Sequence, residues 1–144
     1  MFIGRYYHTL EEKGRVSLPK EFRQVEENWV VTRGLDGGLF LFRAQDFEQE
    51  LHKLAERSFT RKAHRDFIRL MSNDAKAIRA DNNGRVSLPE YLIELAGITK
   101  EVVIVGSYAR VELWDRDRYH HYLDELEEQA ESIAEQLTEQ IETA

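Results

Sequence analysis

Cysteine is absent from this chain. That excludes disulfides, thiolate zinc sites, iron–sulfur ligation and thiol nucleophiles, and it fits a reducing cytoplasm. No apolar run approaches the roughly 18 residues that a membrane span requires. The opening Met1-Phe2-Ile3-Gly4-Arg5 lacks the positive, apolar, small order of a secretory signal. No GxxxxGK[ST] loop is present, so a phosphate-cradling nucleotide site of that kind is excluded. What remains is 144 residues with 42% hydrophobic and 33% charged side chains, the profile of a soluble folded chain.

The net charge of −7 alone argues against a nucleic-acid partner. Its distribution changes that reading. Residues 119–144 hold eight acidic groups and no lysine or arginine. Residues 53–85 hold nine basic and four acidic groups. A near-neutral body thus carries a basic middle and an acidic tail. Phosphate attraction is short-ranged at physiological salt, so a locally basic face suffices for DNA.

The most informative feature is an internal repeat. Gly14-Arg15-Val16-Ser17-Leu18-Pro19 recurs as Gly84-Arg85-Val86-Ser87-Leu88-Pro89. The similarity continues with Trp29–Gly34 against Glu101–Gly106 and Leu39–Phe42 against Val111–Trp114. Phe42 and Phe47 have the spacing of Trp114 and Tyr119. Two copies of one small unit are expected, each followed by a helix. Neither is large enough to bury much apolar surface alone, so they must pack on each other or on another subunit.

Each copy predicts a strand, a tight turn, a second short strand forming a hairpin, a short helix begun by Pro19 or Pro89, and a strand pair. Gly97 is placed to cap the second short helix. The spacing predicts one linker helix over about Ala44 to Leu70, with Phe47, Leu51, Leu54, Phe59, Phe67 and Leu70 along its apolar stripe. The terminal helix carries Leu123, Leu126, Ala130, Ile133, Leu137 and Ile141 near coiled-coil spacing. That seam suits either a neighbouring subunit or the chain's own linker helix.

Glu11 and Arg15, and Asp81 and Arg85, place a carboxylate four residues before an arginine across each turn. The carboxylate can accept turn N–H groups or pair with the guanidinium and so fix its direction. A fixed guanidinium suits bidentate recognition of phosphate or guanine; a purely structural ion pair closing the turn is the alternative.

The pattern Met1-Phe2-x-Gly4-x-Tyr6, then His8-Thr9-Leu10-x-x-Lys13-Gly14-Arg15-Val16-Ser17-Leu18-Pro19-x-x-Phe22-Arg23, resembles the MraZ family, whose repeats belong to the SpoVT–AbrB-like group. Asp81-x-x-Gly84-Arg85-Val86-Ser87-Leu88-Pro89 extends the resemblance to the second copy. It implies an α+β fold in which two pseudo-symmetric AbrB-like repeats form a double-split β-barrel, with a helix after each repeat. On that basis the first repeat spans residues 1–47, a helical linker 48–75, the second repeat 76–119 and an acidic C-terminal helix 120–144.

The resemblance further implies a cytoplasmic, nucleoid-associated regulator without cofactor or metal. Such a protein binds short direct repeats of double-stranded DNA as a ring-shaped homo-oligomer, in the promoter of its own division and cell-wall gene cluster. Arg15, Lys13, Arg5, Arg85 and Arg23 are the expected DNA-binding residues, with Glu11 and Asp81 as turn-fixing carboxylates. The family pattern is Asp-x-x-x-Arg in both copies; here Glu11 replaces the first aspartate. Asn83 stands where the first copy has Lys13, so the first copy is expected to make more phosphate contact.

Other constellations are thinner. His120 and Asp124 share a helical face, but two ligands are too few for a metal site and His121 diverges by about 100°. Ser17 and Ser87 recur beside arginine with His8 nearby, yet no orienting acid or oxyanion site has the spacing a hydrolase needs. No enzyme is expected. The alternative is a protein-interaction module of antitoxin type built on the same barrel.

Overall fold

The computed structural model describes residues 1–143; the side chains of Arg57 and Glu142, counted in the charge balance above, lie outside what it describes. The fold is mixed α+β, with six α-helices and antiparallel strands among the described residues. In chain order it runs β1 (Arg5–Thr9), a 3-10 turn (Glu12–Gly14), β2 (Arg15–Ser17), α1 (Lys20–Arg23), β3 (Asn28–Arg33), β4 (Leu39–Arg43), α2 (Ala44–Ser58) and α3 (Lys62–Asp74). The second half follows as β5 (Lys76–Arg79), β6 (Arg85–Ser87), α4 (Glu90–Ala96), β7 (Glu101–Gly106), β8 (Val111–Asp115), α5 (Arg116–Glu128) and α6 (Ala130–Thr143).

The copies interleave. Six strands form one sheet in the order β1-β7-β8-β4-β3-β5, and β2 pairs with β6 in a separate ribbon. The first strand of each half therefore pairs with the third strand of the other. The expected hairpin between β1 and β2 does not form. Only Glu11 and Arg15 bridge, and the two strands then part into different sheets. Each half leaves its edges open, and the other half closes them. Strand ladders do not join the sheet and the ribbon into a closed barrel.

The core lies between sheet and ribbon. Val16 and Val86 face each other at the ribbon's centre and, with Trp29, Leu41, Val102 and Leu113, are fully buried. β4 is apolar at consecutive positions because both its faces are covered. Leu39 and Leu41 enter the main core; Phe40 and Phe42 enter a second cluster with Phe47, Leu51, Phe67 and Met71. The matched aromatic spacing has a matched geometry: Phe42 and Phe47 ring centres lie 5.6 Å apart, and those of Trp114 and Tyr119 lie 5.5 Å apart.

Register corrects the sequence alignment by one residue. Trp29 pairs with Arg43 just before α2, and Val102 pairs with Asp115 just before α5. Trp29 thus corresponds to Val102, not Glu101, because the first copy's β3–β4 connection is one residue longer.

Three helical expectations also change. The linker is not one helix; it breaks between Ser58 and Lys62 into α2 and α3, which pack together. Ser58, Phe59 and Thr60 are all weak helix formers. Phe59 leaves the stripe and is 72% exposed, while Met71 is buried. The terminal helix likewise divides, at Gln129 (φ −107°, ψ 4°). Its C-terminal part does not bury its seam on the linker helices: Ile133, Leu137 and Ile141 are exposed. Pro19 and Pro89 sit at the N-cap, just before the first helical residue, while Gly97 caps α4 in the left-handed region (φ 65°).

Candidate nucleic-acid interface

The twice-repeated motif builds one surface. Arg15 pairs with Ser87, Val16 with Val86, and Ser17 with Arg85. Strand alternation sends the valines into the core and the other four side chains to the opposite, outer face. Two arginines and two serines thus occupy the corners of one small patch, with like residues on the diagonal. A serine opposite each arginine avoids setting two guanidinium groups directly against each other.

The two arginines are held differently. Asp81 is the better anchor. Its Oδ1 accepts the Asn83 N–H at 2.8 Å and the Arg85 N–H at 2.9 Å. Its Oδ2 accepts from Arg85 Nε at 3.0 Å. The backbone bond from Arg85, then that from Asn83 and the guanidinium, hold this carboxyl below the usual carboxylate range. Glu11 does not do the same for Arg15. Its side chain caps no turn N–H, and its Oε2 lies 3.6 Å from Nη1 of Arg85, in the other copy. The extra methylene carries the carboxylate past the turn, and the ribbon brings the opposite arginine within reach. Arg85 therefore lies between two carboxylates. Arg15 instead donates through Nε to the Glu12 carbonyl at 3.4 Å.

Glycine is needed at both turns for conformation and space. Gly14 has φ +70°, and a Cβ there would come 2.6 Å from the Leu88 carbonyl oxygen. Gly84 has φ +77°, and a Cβ there would collide with the Arg23 guanidinium. Leu18 N–H donates to Gly84 O at 2.9 Å and Leu88 N–H to Gly14 O at 2.8 Å, tying each ribbon strand to the opposite turn.

Arg23 is drawn into that clasp. It donates to the Asn83 carbonyl at 2.7 Å, over the second turn. At the first turn the corresponding neighbour is Ile93, whose Cδ1 would lie 3.0 Å from a Cβ on Gly14. Lys13 is exposed on the first turn, in the left-handed region (φ 63°). Arg5 stands apart. It begins β1, at the end away from the turn, where its charge acts on the Tyr119 hydroxyl. The structure thus gathers Arg15, Arg85 and Lys13 around the ribbon, places Arg23 against the second turn, and leaves Arg5 elsewhere. The pairing of the two motifs with each other escaped the sequence reading; two identical Arg-Val-Ser triplets, each with an apolar centre, were its available signal.

The other candidates have ordinary partners. His120 Nε2 lies 3.1 Å from the Tyr7 hydroxyl, and its ring stacks on Tyr7. His121 lies 3.4 Å from Glu125. No cluster of three or more metal-ligating side chains occurs among the described residues. Among them, no helix is long and apolar enough to cross a membrane.

Two interleaved copies of one strand–turn–strand unit, with an arginine-bearing outward ribbon at their junction, define a duplicated α+β fold. The family model described as "MraZ protein, putative antitoxin-like" matches residues 1–70 and again 71–141. A transcriptional regulator MraZ from Moorella thermoacetica (strain ATCC 39073 / JCM 9320) is 39% identical over 140 residues, covering 96% of this chain and 98% of that protein. The chain belongs to the MraZ family.

Proposed function

We propose that this protein is a DNA-binding transcriptional regulator. The observation that carries the reading is the outward patch in which Arg15 and Arg85 stand diagonally across the β2–β6 ribbon, Arg85 held by Asp81. The similar Moorella protein is named a transcriptional regulator, which supports the same class. In this reading the ribbon completes a double-split barrel with the six-stranded sheet, and its face meets the duplex. Arg15, Arg85 and Lys13 contact phosphates or guanine edges. Asp81 positions Arg85, Glu11 shares in that, and Arg23 supports the turn. Arg5 contributes long-range attraction from outside the patch.

One patch supplies few cations, and each phosphate contact is weak and salt-dependent. A ring-shaped homo-oligomer would present the patch repeatedly to short direct repeats, and effective concentration would multiply modest affinities. The proposed target is the promoter of the protein's own division and cell-wall gene cluster, bound in the cytoplasm at the nucleoid. The proposed units are residues 1–47 and 76–119 as repeats, 48–75 as linker and 120–144 as acidic tail. A titration of that promoter fragment against a scrambled one, at two salt concentrations, tests the reading. Preferential binding that weakens with salt is expected. Equal binding to both fragments would overturn sequence-specific regulation.

The family description favours one second reading, a module of antitoxin type that binds a protein partner. Failure of the DNA titration, with a partner protein protecting the ribbon from modification, would select it.

A further inference from the structure

The two arginines of the ribbon occupy the same position in the repeat and differ in what surrounds them. Arg85 lies between two carboxylates. Its Nε donates to Asp81 Oδ2 at 3.0 Å, and its Nη1 stands 3.6 Å from Glu11 Oε2. Asp81 is itself fixed, because its Oδ1 accepts the turn N–H groups of Asn83 and Arg85. The Arg85 side chain remains 28% exposed, so a groove edge can reach it. Among the described residues no carboxylate pairs with Arg15, whose Nε donates to the Glu12 carbonyl at 3.4 Å. The patch therefore has a polarity that its two-fold-like strand pairing lacks.

These settings favour different acceptors. A phosphate carries a full negative charge, and beside Arg85 it would meet two carboxylates that already offset the guanidinium. The O6 and N7 atoms of guanine are neutral acceptors and bring no such repulsion. With Nε engaged by Asp81, the Nη1–Nη2 edge is what Arg85 has left to offer. A planar fork whose direction is set in advance loses little freedom on binding and is sensitive to where its acceptors lie. Arg15 has the opposite character. No paired carboxylate offsets its charge, and its long bond leaves the guanidinium able to turn toward whichever acceptor lies opposite. The first turn also carries the exposed Lys13, where the second has Asn83.

We propose that Arg85 is the specificity-determining residue of the patch. It reads the major-groove edge of a guanine, and Asp81 is the positioning residue that aims it. Arg15 and Lys13 supply affinity that depends less on sequence. This rests on the DNA-binding reading above and names the base that the site selects.

The test uses the full chain and promoter fragments in which each guanine in turn is replaced by 7-deazaguanine. That base pairs normally and lacks the N7 acceptor. The native chain should lose affinity at one position by about three- to tenfold, the share of one hydrogen bond. Arg85→Ala should bind that fragment and the unmodified one alike. Arg85→Met, which keeps an unbranched apolar stem, should do the same, with circular dichroism checking both folds. Arg15→Ala should bind both fragments more weakly and keep the penalty. Asp81→Asn retains an oxygen for the turn N–H groups but cannot accept from Arg85 Nε through its amide nitrogen. Loss of a negative charge alone would tighten binding to every fragment and leave the penalty in place; a released fork should shrink the penalty. A native chain that binds promoter and scrambled fragments equally would overturn the DNA-binding reading itself. A native chain that prefers its promoter yet tolerates 7-deazaguanine everywhere would overturn the assignment of Arg85 alone. So would a folded Arg85→Met that keeps the full penalty, or an Arg15→Ala that loses it. An undiminished penalty in Asp81→Asn would overturn the positioning role.

Discussion

Arg23 of α1 donates a 2.7 Å hydrogen bond to the carbonyl oxygen of Asn83, sixty residues away in the other repeat. The first copy thereby braces the turn of the second. The opposite brace is apolar, with Ile93 against Gly14. The two turns are equivalent in topology and different in chemistry, and their variants should differ accordingly.

Arg23→Ala should lower stability by about 1 kcal/mol, the usual net worth of one such bond at a partly solvated site. Chemical denaturation measures it. DNA affinity should fall less than for Arg15→Ala at equal salt. An Arg23→Ala effect on affinity as large as that of Arg15→Ala, with stability unchanged, would return Arg23 to direct contact.

Gly14→Ala should be the more damaging of the two turn-glycine variants. Both glycines sit at positive φ, which costs an L-residue about 1–2 kcal/mol. At Gly14 the added Cβ also meets the Leu88 carbonyl, which is backbone and cannot swing away. At Gly84 it meets the far end of the flexible Arg23 side chain. Thermal denaturation of the two alanine variants should place Gly14→Ala clearly below Gly84→Ala.

Asp81 predicts a pH dependence. Its folded carboxyl titrates below its ordinary value, held there first by the Arg85 backbone N–H. A depressed carboxylate contributes stability above its unfolded pKa, and that contribution is lost as pH falls through the folded one. The turn should therefore keep its geometry at neutral pH and loosen only under clearly acidic conditions. Asp81→Asn should remove this acid-side dependence. NMR titration of the Asp81 carboxyl and of the Asn83 and Arg85 amides follows it directly.

Much of this was legible in the sequence. The repeated six-residue motif announced two copies, and the Phe42–Phe47 and Trp114–Tyr119 spacings became equivalent ring contacts. The alternation of Arg15-Val16-Ser17 correctly turned valine inward. Strand partnership was not legible. A tight turn such as Asn82-Asn83-Gly84 signals local pairing, yet the flanking strands find better partners in the other copy. That choice is made by burial across the whole molecule. Glu11 misled for a similar reason: its spacing to Arg15 is local, while its carboxylate lies nearest Arg85 across the ribbon. The single linker helix failed because an apolar stripe does not reveal a reversal at Phe59–Arg61.

Arg15→Ala should weaken promoter binding by about 1–3 kcal/mol, the range for a bidentate contact to a base. Its fold should be intact, since the side chain points outward and its bond to Glu12 O is long at 3.4 Å. Circular dichroism and light scattering would confirm fold and mass.

The most direct measurement is the salt dependence of promoter binding for the native chain beside Arg15→Ala and Arg85→Ala. If the ribbon face meets the duplex, each variant binds more weakly than the native chain, with its oligomer mass unchanged. If these arginines also neutralise phosphates, the plot of log affinity against log salt becomes shallower for each. Native affinity and an unchanged salt slope in both variants would contradict the placement of DNA on the β2–β6 ribbon.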